Sequence, residues 1–89
     1  MIMGVIVIVQ YARREGLLLG IDRFTDEEGP QASIRLHELE QPNTDDNIEI
    51  VLLCSRSEQM MARTHGKYFS DKAMRNIRAQ EALLKTQLN

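Results

Sequence analysis

The sequence predicts an α+β fold: an antiparallel β-meander of three to four strands, followed by a short helix and a longer C-terminal amphipathic helix. Two runs of mostly β-branched and aliphatic residues, at residues 4–11 and 48–55, are typical of strands. Turn-forming residues separate the early segments, and after residue 55 the apolar spacing becomes helical. With 89 residues, the chain is predicted to form a single domain over residues 1–89.

The first two strands are predicted to form a hairpin. Residues 4–11 are apolar on both faces, which favours a central position in the sheet. Residues 13–16 form the loop, where Gly16 supplies the positive φ that such loops need. Residues 17–24 return as the second strand, and Gly20 marks a bulge or a close backbone approach. Simple alternation places one set of side chains on a common face: Leu17, Leu19 and Ile21.

The middle of the chain is ambiguous at residues 31–40. Ile34 and Leu36 alternate with polar residues, which indicates a strand, whereas a helix would separate Leu36 from Ile34. The sequence therefore predicts a strand here, and a helix stays open as the alternative. Residues 41–47 are rich in turn formers and predict a loop. Residues 48–55 follow as a strand.

Two helices are predicted after residue 55. Ser55 and Glu58 match a capping box, and Gly66 is a candidate C-cap for the short helix. A longer helix, capped by Ser70 or Asp71, is predicted to run to about Gln87. On one side of this helix, an apolar stripe is formed by Ala73, Met74, Ile77, Leu84 and Leu88. Leu83 falls outside the stripe.

The composition excludes several classes of protein. A single cysteine rules out an internal disulfide, and with only two histidines a structural zinc site is nearly excluded. The longest apolar run, at residues 1–9, is too short to span a bilayer and lacks the basic residue that precedes a secretory signal. No phosphate-binding glycine motif is present. We expect a cytoplasmic protein without cofactors and without membrane attachment.

No convergent set of catalytic or metal-binding residues is predicted. Cys54 and His65 lack an evident third group to orient them as a dyad. If residues 31–40 form a strand, His37 points away from the neighbouring glutamates and they do not form a metal site. The acidic segments at residues 26–28 and 45–46 lack calcium-loop spacing and are interpreted as solvated turns; the alternative is an acidic patch that docks onto a basic partner. An enzyme with a site between subunits remains a third hypothesis.

The leading hypothesis is a non-enzymatic protein–protein interaction module that self-associates, most simply as a homodimer, and that works by binding another, unidentified protein. Its basis is that the predicted strands are apolar on both faces, of which the long helix can cover one. A second copy of the chain would cover the other face, and the alternative is a monomer in which the short helix covers it. The predicted interface residues are Ile6, Ile8, Leu18, Leu53, Tyr68, Phe69 and Leu83.

The alternative hypothesis is a nucleic-acid-binding regulator that uses the basic face of the C-terminal helix. Residues 22–50 carry two arginines against nine acids, and residues 51–89 carry seven basic residues against three acids. The acidic middle and the basic end could also attract each other, within one chain or between chains. A sequence pI of about 5.6 and few aromatic residues weigh against nucleic acid. The candidate contacts are Arg63, Lys67, Lys72, Arg75, Arg78 and Lys85.

Overall fold

A computed structural model describes residues 4–88, with the side chains of residues 4–86. It has three strands, a short 3-10 turn and four helices within that range. The prediction of an α+β fold with an antiparallel sheet and a C-terminal helix is confirmed. The elements in chain order are β1 (Val5–Ala12), β2 (Leu17–Thr25), the 3-10 turn (Asp26–Glu28), α1 (Gly29–Glu40), β3 (Ile48–Ser55), α2 (Glu58–Thr64), α3 (Gly66–Phe69) and α4 (Arg75–Leu88).

The sheet has the order β2-β1-β3, so β1 is the central strand as its two apolar faces predict. Both outer strands pair antiparallel to β1, and β2 and β3 therefore run parallel to each other. A chain passing between two parallel strands needs a crossover rather than a tight turn. The segment that contains α1 makes this crossover over one face of the sheet, so the connection from β2 to β3 is not a meander turn.

The predicted strand at residues 31–40 is wrong: this segment is the helix α1. Ala32 is fully buried and Leu36 and Leu39 are half-buried against the sheet, a spacing that places them on one helical face. Pro30 occupies the first turn, where its missing N–H costs no helical hydrogen bond. Ile34, which suggested alternation, is 63% exposed and plays no part in the core.

The hairpin between β1 and β2 forms as predicted, with Gly16 at its end. Gly16 has φ of 69°, the left-handed region that side chains other than glycine rarely adopt. Its N–H donates to the carbonyl oxygen of Ala12 at 2.8 Å, which closes the loop. The glycine is therefore needed for the backbone path between the two strands.

A bulge in β2 reverses the side-chain alternation predicted for that strand. Gln10 pairs with Gly20, but Tyr11 pairs with Leu18, so Leu19 is the extra residue. Leu18 consequently points into the core and is fully buried, whereas Leu19 is 47% exposed. Gly20 lies directly beneath the side chain of Gln10, and a Cβ atom at this position would collide with it. The glycine therefore allows the close approach that was predicted here.

The sheet is covered on both faces by helices of the same chain. On one face, α1 packs over a cluster formed by Ile6, Ile8, Ala32, Leu36, Leu39, Ile50 and Leu52. On the other face, the segments after β3 pack over a larger cluster that contains Val7, Val9, Leu18, Leu53, Met61, Tyr68, Met74 and Ile77. The fold is thus three layered: helix, sheet and helices.

The helix boundaries differ in detail from the predicted ones. Ser57, rather than Ser55, caps α2 by accepting a hydrogen bond from the Met60 N–H at 3.1 Å. Gly66 begins α3 instead of ending α2. Ser70 accepts from the Ala73 N–H at 3.1 Å in a turn that precedes α4. None of the helices found within residues 4–88 is long and apolar enough to cross a membrane.

Candidate interaction surface

Four of the predicted interface residues are buried within the single chain. Leu18 and Ile8 have no exposed surface, Leu53 is 6% exposed and Ile6 is 8% exposed. The prediction assumed that two helices had to cover a two-faced sheet, but α1 supplies the additional layer. These four side chains form the core, so an apolar sheet face is no longer a reason for self-association.

The three other predicted interface residues have different environments. Tyr68 is buried and Phe69 is half-buried, and both pack against the cluster beneath α4. Leu83 is 60% exposed, in agreement with its position outside the apolar stripe of α4. Leu84 was predicted for that stripe but is 57% exposed. Among residues 75–86 of α4, Ile77 is the one buried residue. Leu88 lies outside the side chains that the structure describes.

The edge of β3 exposes a row of backbone hydrogen-bonding groups. At Ile48 these groups turn away from β1, since its N–H donates to the Asp45 carbonyl at 3.0 Å and its carbonyl accepts from Asn43 Nδ2 at 3.2 Å. Hydrogen-bonding direction alternates along an antiparallel strand. The groups that also point outward therefore belong to Ile50, Leu52 and Cys54. Within residues 4–88 no other element forms a backbone hydrogen bond to them.

The open β3 edge lacks the features that usually prevent edge pairing. The strand is eight residues long, has no proline and carries Glu49 as its single charge. Its register with β1 is regular and free of bulges. Natural sheets normally block such an edge with charges, prolines, bulges or a covering segment. The β3 edge is consequently a template for another strand, and sequence reasoning missed it because it depends on strand order.

The opposite edge, β2, is protected in three ways. Its bulge at Leu19 interrupts the regular spacing of backbone groups. The outward N–H of Leu18 donates to the Ala73 carbonyl at 2.9 Å, so the segment before α4 covers this part of the edge. Farther along, Arg23 and Asp22 place charges on the strand. Of the two sheet edges, β2 is therefore protected and β3 is available for pairing.

A polar cluster around Glu49 fixes α3 to the sheet. The Tyr68 hydroxyl donates to Glu49 Oε1, and Lys67 Nζ lies 3.2 Å from the same oxygen. Arg13 Nε lies 3.2 Å from the other oxygen, Oε2. The Tyr68 ring meets the Tyr11 ring edge to face at 5.2 Å, and Lys67 Nζ lies 4.9 Å from the Tyr68 ring centre.

The electrostatics of this cluster favour a charged Glu49. The hydrogen bond from Tyr68 lowers the pKa of Glu49, against a smaller opposing effect of burial, and Lys67 and Arg13 lower it further. Burial, followed by the bond to the carboxylate, raises the pKa of Tyr68. Each group is engaged by another member of the cluster, so the arrangement stabilises the fold and leaves no free acid–base pair.

The predicted nucleic-acid contacts are all exposed, but they are not equally available. Lys67 is engaged by Glu49, and Arg78 pairs with Asp71 at 3.0 Å. Within the described part of the chain, the other four make no ion pair. Arg75, Arg78 and Lys85 lie within an arc of about 80° on α4 at ~100° per residue. The four unpaired residues are Arg63, Lys72, Arg75 and Lys85.

The charge asymmetry of the sequence becomes an asymmetry between the two faces of the sheet. The 3-10 turn and α1 carry five exposed acids, Asp26, Glu27, Glu28, Glu38 and Glu40, on one side. The segments after β3, which hold seven of the eleven lysine and arginine residues, cover the other side. Lys67–Glu49 is the one ion pair between a basic residue after position 50 and an acid of residues 22–50 among the described residues. The two charged regions therefore do not neutralise each other within one chain.

The reactive side chains do not assemble into a site. Cys54 is exposed on β3, and His65 is exposed between α2 and α3. His37 lies on α1, where it shares a face with Glu40 rather than pointing away from it. Among residues 4–88, no three histidine, cysteine or acidic side chains are close enough to hold a metal ion. Comparisons of the chain with protein-family models, curated proteins and solved structures found no match.

Proposed function

We propose that this protein is a non-enzymatic, cytoplasmic interaction module that works by self-association. The observation that carries the proposal is the open β3 edge, where the backbone groups of Ile50, Leu52 and Cys54 form no hydrogen bond to any other part of residues 4–88. An added strand gains main-chain hydrogen bonds along such an edge and buries the half-exposed apolar side chains beside it. A strand interface of this kind is small, and the association is expected to be concentration-dependent.

We expect the wild-type protein to dimerise, and we expect a charge introduced on β3 to prevent dimerisation. Cys54→Lys places an ammonium group on the edge at an exposed position, so folding is retained while a paired strand would have to desolvate the charge. Light scattering over a concentration series should show wild-type dimers and Cys54→Lys monomers.

Two matched variants control this experiment. Cys54→Ser changes the same position without adding charge and should remain dimeric. Leu19→Lys adds the same charge at an exposed position on the opposite edge and should also remain dimeric. Wild-type protein that is monomeric at every concentration would refute self-association. Equal dimerisation of Cys54→Lys and wild type would refute the role of β3.

A second candidate function is binding to nucleic acid through the face covered by α2 to α4. Its support is the exposure of Arg63, Lys72, Arg75 and Lys85 on the segments after β3, which lie across the sheet from the acidic α1 face. The helices on the two faces are each about 10 Å thick, and the sheet lies between them. The distance between the acidic surface and the basic surface therefore exceeds the Debye length, about 10 Å at 0.1 M salt, so the acidic face is largely screened from a bound phosphate chain.

Nucleic-acid binding through α4 predicts a salt-dependent affinity that decreases in the double variant Arg75→Ala/Lys85→Ala, which removes two exposed basic residues of that helix. Each lost phosphate contact should reduce the slope of log affinity against log salt by about one. Fluorescence anisotropy with labelled duplex and single-stranded oligonucleotides measures both quantities. Arg35→Ala, which removes a positive charge from the α1 face, should have little effect. No binding at low salt would refute this candidate.

A further inference from the structure

The outward backbone groups of β3 can pair with the same groups of a second β3 strand. We infer that it is occupied by β3 of a second copy, which runs antiparallel with Leu52 opposite Leu52 of the other copy. This inference rests on the proposed self-association and goes further, because it specifies the strand, its direction and its register. The resulting dimer would extend the three-stranded sheet continuously across a two-fold axis.

Hydrogen bonding selects this register over its neighbours. With Leu52 at the axis, Ile50 lies opposite Cys54 of the other copy, and the outward groups of all three residues find partners. If Val51 were at the axis, Cys54 would face Ile48, whose N–H and carbonyl are already bonded to Asp45 and Asn43. If Leu53 were at the axis, Ile50 would face Arg56, which lies beyond the end of β3.

The side chains are compatible with the same register. Val51 lies opposite Leu53, and Leu52 lies opposite itself, so apolar side chains meet on both faces of the joined sheet. Glu49, the single charge of β3, faces Ser55 and not another acid.

The two-fold axis of this dimer is perpendicular to the sheet, because directly opposed residues of antiparallel strands point to the same face. Both α1 helices therefore lie on one side, and both sets of α2 to α4 lie on the other. The dimer has one acidic and one basic face, each twice the size of that in the single chain. The edge pairing leaves the exposed residues of α4 free for a further partner.

Cysteine cross-linking tests the register directly. In the double variant Leu52→Cys/Cys54→Ser, the two new thiols face each other across the axis. Directly opposed residues in such a pair have Cα atoms about 5.5 Å apart, which is within the usual disulfide range. We expect a mild oxidant to convert this variant into covalent dimers in high yield.

Substitution of Ile50 supplies a second, independent pair of variants. Ile50→Cys with the native Cys54 retained places a thiol opposite Cys54 of the other copy and should cross-link. Ile50→Cys/Cys54→Ser should not, because its two thiols would be about 14 Å apart at ~3.4 Å per residue. Ile50 also packs beneath α1, but Ile50→Cys leaves Leu52 in place there, so whichever of the two designs remains folded carries the test.

Light scattering separates failure of the register from failure of the proposed function. Dimers that do not cross-link at either designed pair would refute the Leu52-centred register while self-association stands. Cross-linking of Ile50→Cys/Cys54→Ser as efficient as that of Leu52→Cys/Cys54→Ser would also refute the register. A wild-type chain that is monomeric at every concentration would overturn both.

Discussion

Leu18→Ala is expected to destabilise the protein by about 3 kcal/mol, the typical cost of removing a fully buried leucine. Leu18 lies in the core beneath α4 together with Val7, Val9 and Met61. Truncation there removes apolar contacts and leaves a cavity. Small domains have a total stability of only about 5–15 kcal/mol, so the loss is a large fraction of it. The urea midpoint, measured by circular dichroism, reports the change.

The neighbouring leucine provides the control. Leu19 is 47% exposed at the bulge, and Leu19→Ala should change the stability by less than about 0.5 kcal/mol. Leu18→Met, which nearly conserves volume, should cost less than about 1.5 kcal/mol and keeps the comparison measurable if Leu18→Ala is unfolded. A larger effect at Leu19 than at Leu18 would show that β2 follows simple alternation without the bulge.

Glu49→Gln is expected to lower the free energy of unfolding by about 2 kcal/mol near neutral pH. The amide keeps the shape of the side chain but removes the charge that Tyr68, Lys67 and Arg13 engage. Glu38→Gln removes an exposed carboxylate of α1 as a control and should have an effect within about 0.5 kcal/mol.

The pH dependence identifies the charge as the cause. The pKa of Glu49 in the folded state is lowered from its ordinary value of 4.5, so the folded state binds this proton less readily than the unfolded state does. The stabilisation is therefore complete above the ordinary pKa and is lost as pH falls through the folded-state pKa. The stability difference between wild type and Glu49→Gln should shrink on acidification. A difference that is constant with pH would contradict this assignment.

The sequence predicted the elements whose signals are local. The β-branched runs of β1 and β3 and the conformational requirement at Gly16 correctly located these strands and the hairpin. The helix α1 was missed because Ile34, an exposed residue, gave an apparent alternation with Leu36. Pro30 in the first turn was a usable signal, since proline is favoured at the start of a helix.

The candidate surface was less predictable because it depends on long-range packing. Ile6 and Leu53 are apolar in sequence whether a helix or a second chain covers them. In the fold α1 covers Ile6, and the segments after β3 cover Leu53. The open edge of β3 depends on the strand order, which a single sequence does not specify. In contrast, the exposure of Leu83 followed from helical periodicity alone.

Hydrogen exchange at the amides of Ile50, Leu52 and Cys54 tests the central claim, strand pairing at β3, most directly. These N–H groups have no partner in the described single chain, so they should exchange rapidly in dilute protein. Raising the protein concentration should slow their exchange together with dimer formation, while Val51 and Leu53, which face β1, remain protected throughout. Rapid exchange at all three amides in a sample that light scattering shows to be dimeric would contradict the account.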